Sequence, residues 1–166
     1  MLHYGASPQS ISVVPCGVNL ELFRPVDKEI ARQQLGFVDD KLILFVGRIE
    51  PLKGIEQLFK AMPYWQNSQR PRLVIVGGDE HSQDEMESLQ ELSRQLDIQD
   101  SVTFSGLIKH EQTPYFYSAA DVCVVPSYYE SFGLTALESL ACGTPVVATD
   151  VGAFKSVIHQ GETGYV

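Results

Sequence analysis

The stretch Val122-Cys123-Val124-Val125-Pro126-Ser127-Tyr128-Tyr129-Glu130-Ser131-Phe132-Gly133-Leu134-Thr135-Ala136-Leu137-Glu138-Ser139 reads as strand, turn and helix in immediate succession. Val122–Val125 is an apolar strand, Pro126 and Ser127 open a polar turn, and a helix begins near Gly133 or Leu134. The start of that helix presents unpaired backbone N–H groups and a partial positive charge, which suits a phosphate. Glu130 lies in the turn and Glu138 one turn into the helix, with seven residues between them. A carboxylate on each side of an anion site can accept hydrogen bonds from sugar or ribose hydroxyls. The segment is therefore suited to a nucleotide-sugar.

The same alternation extends in both directions. Ile11–Val14 reads as a short strand ending at Pro15, followed by a helix and turn over residues 27–40. Lys41–Gly47 and Arg72–Gly77 are continuous apolar runs of the kind buried on both faces of a sheet. Between them Ile55, Leu58, Phe59 and Met62 fall at i, i+3, i+4 and i+7, which marks an amphipathic helix. Ser82-Gln83-Asp84-Glu85 predicts a capping box opening a helix with Met86, Leu89 and Leu96 inward. A strand at Val102–Phe104 and a helix from about Glu111 to Ala119, with Pro114 in its first turn, lead into the central segment. After it come the strand Pro145–Thr149 and a short helix near Phe154–Ile158, and Gly164–Val166 lies in or just before another strand. Short connections of this kind predict right-handed crossovers. The expected fold is α/β: a Rossmann-like doubly wound parallel sheet of about six strands with helices on both faces. Ligands of such sheets bind past the carboxyl ends of the strands.

The 166 residues, 44% of them apolar, suffice for one domain with its own core. Net charge is −9, from 12 Lys and Arg against 21 Asp and Glu, which argues against nucleic acid as a partner. No run approaches the roughly 18 apolar residues of a membrane span, and no apolar signal region follows a basic start. A cytoplasmic location is expected, with membrane contact only through regions outside this sequence. Cys16, Cys123 and Cys142 are odd in number and show no C-x-x-C spacing, so they are expected to be buried free thiols. The histidines His3, His81, His110 and His159 show no ligand spacing relative to them, and no metal is expected.

Against this acidic background Arg48 and Lys53 stand out. Gly47 and Arg48 end one strand and Lys53 precedes a helix, so two cations can converge on a diphosphate. Such cations would stabilise the charge that builds on a departing diphosphate. Gly77-Gly78-Asp79 permits close ligand approach but would equally form a plain turn. Neither a P-loop nor a G-x-G-x-x-G follows any strand, which argues against a dinucleotide oxidoreductase. Gly133, Leu134 and Thr135 would supply the phosphate-facing amides. Glu138 sits on a helix of small and apolar residues, so its carboxylate is expected to be largely buried and to need a partner.

Together these residues resemble the C-terminal, donor-binding domain of the GT-B retaining glycosyltransferases (glycosyl transferases group 1, family four). The likeness covers the whole chain, 1–166: Pro15–Asn19 with Phe23–Pro25, Val46–Arg48 with Lys53-Gly54, Ala120 through Glu138, Gly143–Ala148 and Gly161–Gly164 match in order and spacing. The resemblance implies that Glu130 contacts the hydroxyls of the donor sugar and Glu138 those of the ribose. Arg48 and Lys53 would bind the diphosphate. Gly47 and Gly78 would line the donor site, Phe132, Gly133, Leu134 and Thr135 would present backbone groups to sugar and diphosphate, and Ile108 would meet the base. The donor is expected to be a UDP- or GDP-linked sugar, transferred with retention and without a metal or other cofactor. The family's N-terminal acceptor domain and its last C-terminal helices have no counterpart here, so the chain is expected to be inactive alone. Two other readings share the fold: a nucleotide-sugar 2-epimerase, and a non-catalytic sugar-nucleotide binding module.

Overall fold

The computed structural model describes residues 5, 7–12, 14–38, 41–65 and 70–166. Six strands, β1 (Leu42–Val46), β2 (Arg72–Val76), β3 (Val102–Gly106), β4 (Val122–Val125), β5 (Val146–Ala148) and β6 (Gly164–Tyr165), form one sheet in the order β3-β2-β1-β4-β5-β6. Every neighbouring pair is parallel. The strand order reverses between β1 and β4, the place where doubly wound sheets open a ligand crevice.

Side chains alternate between the faces, as the period of a strand requires. Leu42, Leu44, Val74, Val76, Cys123, Val125, Val146 and Ala148 face a core built with α1 (Lys28–Leu35), α4 (Thr113–Ala119), α5 (Leu134–Ala141) and α6 (Phe154–Val157). Phe45, Leu73 and Ile75 face a second core with α2 (Ile55–Ala61) and α3 (Gln83–Gln95). The helix α1 starts where Asp27 accepts hydrogen bonds from the Glu29 and Ile30 amides at 3.0 Å, and it ends at Gly36 in the left-handed region.

Several expectations are corrected. Ile11, Ser12 and Val14 are not in a strand, and Val13 lies outside the described residues. Val14 is 84% exposed. A β-branched run is a preference that needs a neighbouring strand to supply its ladder, and none among the described residues pairs with it. The capping box is absent: the Ser82 hydroxyl accepts from the Asp79 amide at 2.7 Å and donates to the Asp79 carbonyl at 2.9 Å. A nearer backbone partner has taken the hydroxyl, closing the turn before α3 instead of capping it. The helix expected from about Glu111 to Ala119 is present, as a 3-10 turn over His110–Gln112 that runs into α4 at Thr113. Of the three free cysteines, Cys123 and Cys142 are buried but Cys16 is exposed. No helix among the described residues is long and apolar enough to cross a membrane.

Candidate functional site

The carboxyl ends of β1, β2 and β3 open into a cleft of about 510 Å³. Gly47, Arg48, Gly78 and Ile108, which the sequence reading selects, line it; so do Glu50, Asp79, His81, Ser82 and His110, which that reading did not select. Gly77 sets its floor. A Cβ there would lie 1.8 Å from the Gly47 carbonyl oxygen, so the ends of β1 and β2 meet backbone to backbone.

Lys53, Glu130 and residues 132–135 are not among the lining residues of this cleft and gather beside it, at the end of β4. Lys53, from the 3-10 turn Pro51–Lys53 before α2, places its Nζ 2.8 Å from Glu130 Oε2. Both side chains are mostly buried, at 17% and 19% exposure. The other oxygen of Glu130 accepts from the Ser131 amide at 3.2 Å. Two residues on, Gly133 opens α5 with φ 87° and no side-chain cap. A Cβ at Gly133 would lie 2.2 Å from the Phe154 ring, so glycine permits both the turn and the packing. The Leu134 and Thr135 amides belong to the first turn and have no carbonyl one turn back to bond. The Thr135 hydroxyl reaches the Val46 carbonyl at 3.4 Å, which ties α5 to the end of β1 beside Gly47.

Glu138 is held from below, where its Oε2 accepts a hydrogen bond from the Tyr117 hydroxyl at 2.8 Å. Burial pushes its carboxyl pKa up; the Tyr117 hydrogen bond and the nearby His110 pull the other way without cancelling the rise. His110 lines the cleft, whereas Glu138 itself is not among the residues that line it. The helix around Glu138 is less buried than its composition implies: Ala136 and Ser139 are buried, whereas Leu134 is 45% exposed. One face of α5 covers the sheet and the other stays open at the carboxyl ends of the strands.

The two cations do not share a partner. Lys53 pairs with Glu130, while Arg48 is 77% exposed and pairs with Glu50 at 3.0 Å. Their expected convergence on one anion thus requires both to exchange carboxylates that hold them here. Phe132 is half-buried between Glu130 and Gly133. Tyr117 is the partner that sequence reasoning missed. Its signal was a tyrosine on the inward face of an apolar helix, whose hydroxyl must find an acceptor. Among the described residues no group of three or more His, Cys, Asp or Glu side chains could hold a metal ion.

Comparison with known proteins gives a consistent set of relatives. Residues 27–166 match the family described as glycosyl transferases group 1. A D-inositol 3-phosphate glycosyltransferase of Acidothermus cellulolyticus is 45% identical over 168 residues, covering 97% of this chain and 38% of that protein. A second protein of that description, from Catenulispora acidiphila, is 44% identical, covering 97% and 39%. The chain thus spans under two fifths of the length of these curated relatives. Among solved structures, a sucrose-phosphate synthase from Thermosynechococcus elongatus superposes with TM-score 0.83 at 45% identity, covering 92% of this chain and 38% of that one. The Anabaena protein HepE, solved with UDP and glucose, gives TM-score 0.84 at 26% identity, covering 99% and 45%.

Proposed function

The chain belongs to the glycosyl transferases group 1 family, and from that premise we propose that it is the donor-binding half of a retaining glycosyltransferase. In this reading its cleft holds a nucleoside-diphosphate sugar, UDP- or GDP-linked, whose glycosyl group passes to an acceptor bound elsewhere in the full protein. The observation that carries the reading is the meeting of Lys53, Glu130 and the open first turn of α5 at the carboxyl ends of β1 and β4. The neighbour HepE, solved with UDP-glucose, supports a nucleotide-sugar as ligand.

In this reading each group has a role. The diphosphate sits against the Leu134 and Thr135 amides, with Lys53 and Arg48 as counter-charges. Glu130 accepts from hydroxyls of the sugar, Glu138 from the ribose diol, and the base lies in the cleft near Ile108. During transfer the bond from the anomeric carbon to the diphosphate oxygen breaks, and its electron pair leaves with the diphosphate. The acceptor hydroxyl forms the new bond on the same face and passes its proton to the departing diphosphate oxygen. Fixed cations and amides favour this step because they meet more negative charge in the transition state than in the ground state. Lys53 and Arg48 exchange Glu130 and Glu50 for the diphosphate, and the exchange frees the Glu130 carboxylate for the sugar hydroxyls.

A calorimetric and thermal-shift panel of UDP-, GDP- and ADP-sugars tests the reading. One base is expected to stabilise the chain, by about 2.7 kcal/mol at a hundredfold excess over the dissociation constant. Glu138→Ala and Arg48→Ala should each remove most of that shift. Failure of the folded chain to bind any nucleoside diphosphate would overturn the reading. Transfer itself is expected only from the full-length protein, where loss of product with Glu130→Ala separates a catalytic site from a mere binding module.

A further inference from the structure

Glu138 needs its carboxylate charged and aimed outward if it is to accept from a ribose diol, yet it stands on a half-buried helix. The structure supplies the means in Tyr117. This side chain is fully buried on α4, and its hydroxyl donates to Glu138 Oε2 at 2.8 Å. Its ring packs edge-on against Phe23, with centroids 6.1 Å apart. Its carbonyl accepts from the Thr144 hydroxyl at 2.6 Å, and the Thr144 carbonyl accepts from Ser139 of α5 at 3.0 Å. The tyrosine is thus fixed at ring, hydroxyl and backbone, and it ties α4 to the helix that carries Glu138.

Resting on the donor-site reading above, we propose that Tyr117 is a positioning residue for nucleotide recognition, acting through Glu138 and never touching the ligand. By taking an inward lone pair of Oε2, it satisfies the buried side of the carboxylate. Among the described residues no donor reaches Oε1, which is left to the ligand. A carboxylate has about four lone-pair sites, so enough remain for a vicinal diol. Burial holds the Tyr117 hydroxyl well above its ordinary pKa, so it stays a neutral donor throughout the working range. The other groups facing Glu138 are His110 beside the cleft and the thiols of Cys123 and Cys142, both pushed up to about 12 by burial and therefore uncharged. Without Tyr117, burial acts on Glu138 with only His110 opposing it. The carboxyl then holds its proton to higher pH and becomes a poorer acceptor.

The test compares wild type with Tyr117→Phe by calorimetry with UDP, GDP and ADP from pH 5.5 to 8.5. A parallel pair in a His110→Gln background keeps the imidazole charge out of the profile. For the nucleotide that binds, Tyr117→Phe is expected to weaken affinity about tenfold at the acid end, with recovery toward wild type at the alkaline end. Its preference for the ribonucleotide over the 2′-deoxy form should narrow. Glu138→Gln, which cannot titrate, should be weak at every pH. Equal weakening for ribo and deoxy forms with an unchanged profile would overturn the proposal, since that is what a purely structural tyrosine would give. In the ligand-free chain, the Glu138 carboxyl followed by NMR should titrate at higher pH in Tyr117→Phe, and an unmoved midpoint also overturns it. If wild type binds none of the three nucleotides, the donor-site reading fails, while an unmoved Glu138 midpoint in Tyr117→Phe overturns the role assigned to Tyr117. The carboxyl titration keeps these failures apart, because it needs no ligand.

Discussion

Lys53 Nζ lies 2.8 Å from Glu130 Oε2, across 77 residues of sequence, with both side chains mostly out of water. Neither residue alone announces this. Each reads in isolation as a solvated turn residue, and only the return of β4 beside β1 brings them together. The pairing has an energetic consequence. Removing the ammonium strands a mostly buried carboxylate, whereas removing both charges removes the need for either. Lys53→Met is therefore expected to lower stability by about 1–3 kcal/mol in chemical denaturation. Lys53→Met combined with Glu130→Leu should recover part of that loss. Strict additivity of the two substitutions would show that the pair is not coupled. Binding behaves differently, since the double variant should lose nucleotide affinity at least as fully as either single one.

At the scale of elements, α5 shows how much one backbone position can decide. Its apolar composition predicted the helix, and Gly133 or Leu134 as its beginning; the structure starts it at Leu134. What the composition did not show is why glycine stands at 133. That position combines φ 87° with the Phe154 ring where a Cβ would go. Gly133→Ala is expected to cost about 1–3 kcal/mol, read as a lowered melting temperature. It should also weaken nucleotide binding, because the first-turn amides move with the turn. Unchanged stability would mean that the Phe154 ring yields freely. The start of α3 is the opposite case. Ser82-Gln83-Asp84-Glu85 carries a clear capping pattern, yet Asp79 captured the hydroxyl. Local pattern ranks the options for a side chain, and nearby backbone groups choose among them.

For the molecule as a whole, the end of the sheet opposite the cleft is joined by Asp121. Its carboxylate meets Lys28 at 2.7 Å and Arg32 at 2.9 Å from α1, and accepts from the Leu42 amide at the start of β1 at 2.8 Å. Burial alone would raise its pKa. The Lys28 hydrogen bond, the Leu42 amide and the charges of Lys28 and Arg32 outweigh that and hold it below the usual range. The folded-state pKa thus lies beneath the unfolded one. Its contribution to stability is present above the ordinary aspartate value of about 3.9 and is lost as pH falls through the lowered value. Asp121→Asn should therefore reduce the melting temperature at neutral pH, by about 2–4 °C for each kcal/mol lost. The gap to wild type should close on acidification below about pH 3.9. A gap that persists undiminished in acid would show that shape, not charge, makes the contribution.

The amino-acid order by itself determined the α/β class, five of the six strands of the central alternation to within a few residues, and the segments that reach the carboxyl ends of the sheet. These are short-range properties: apolar period, turn residues and helix starts act over a handful of positions. It did not determine that Ile11, Ser12 and Val14 would stand outside the sheet, that Lys53 would be held by Glu130, or that Tyr117 would stand beside Glu138. Those outcomes belong to the tertiary structure, because each depends on which strands lie side by side and which helices pack on them. The strand order brings distant groups within hydrogen-bond reach and leaves others without a partner, and no local pattern encodes a distance across the sheet.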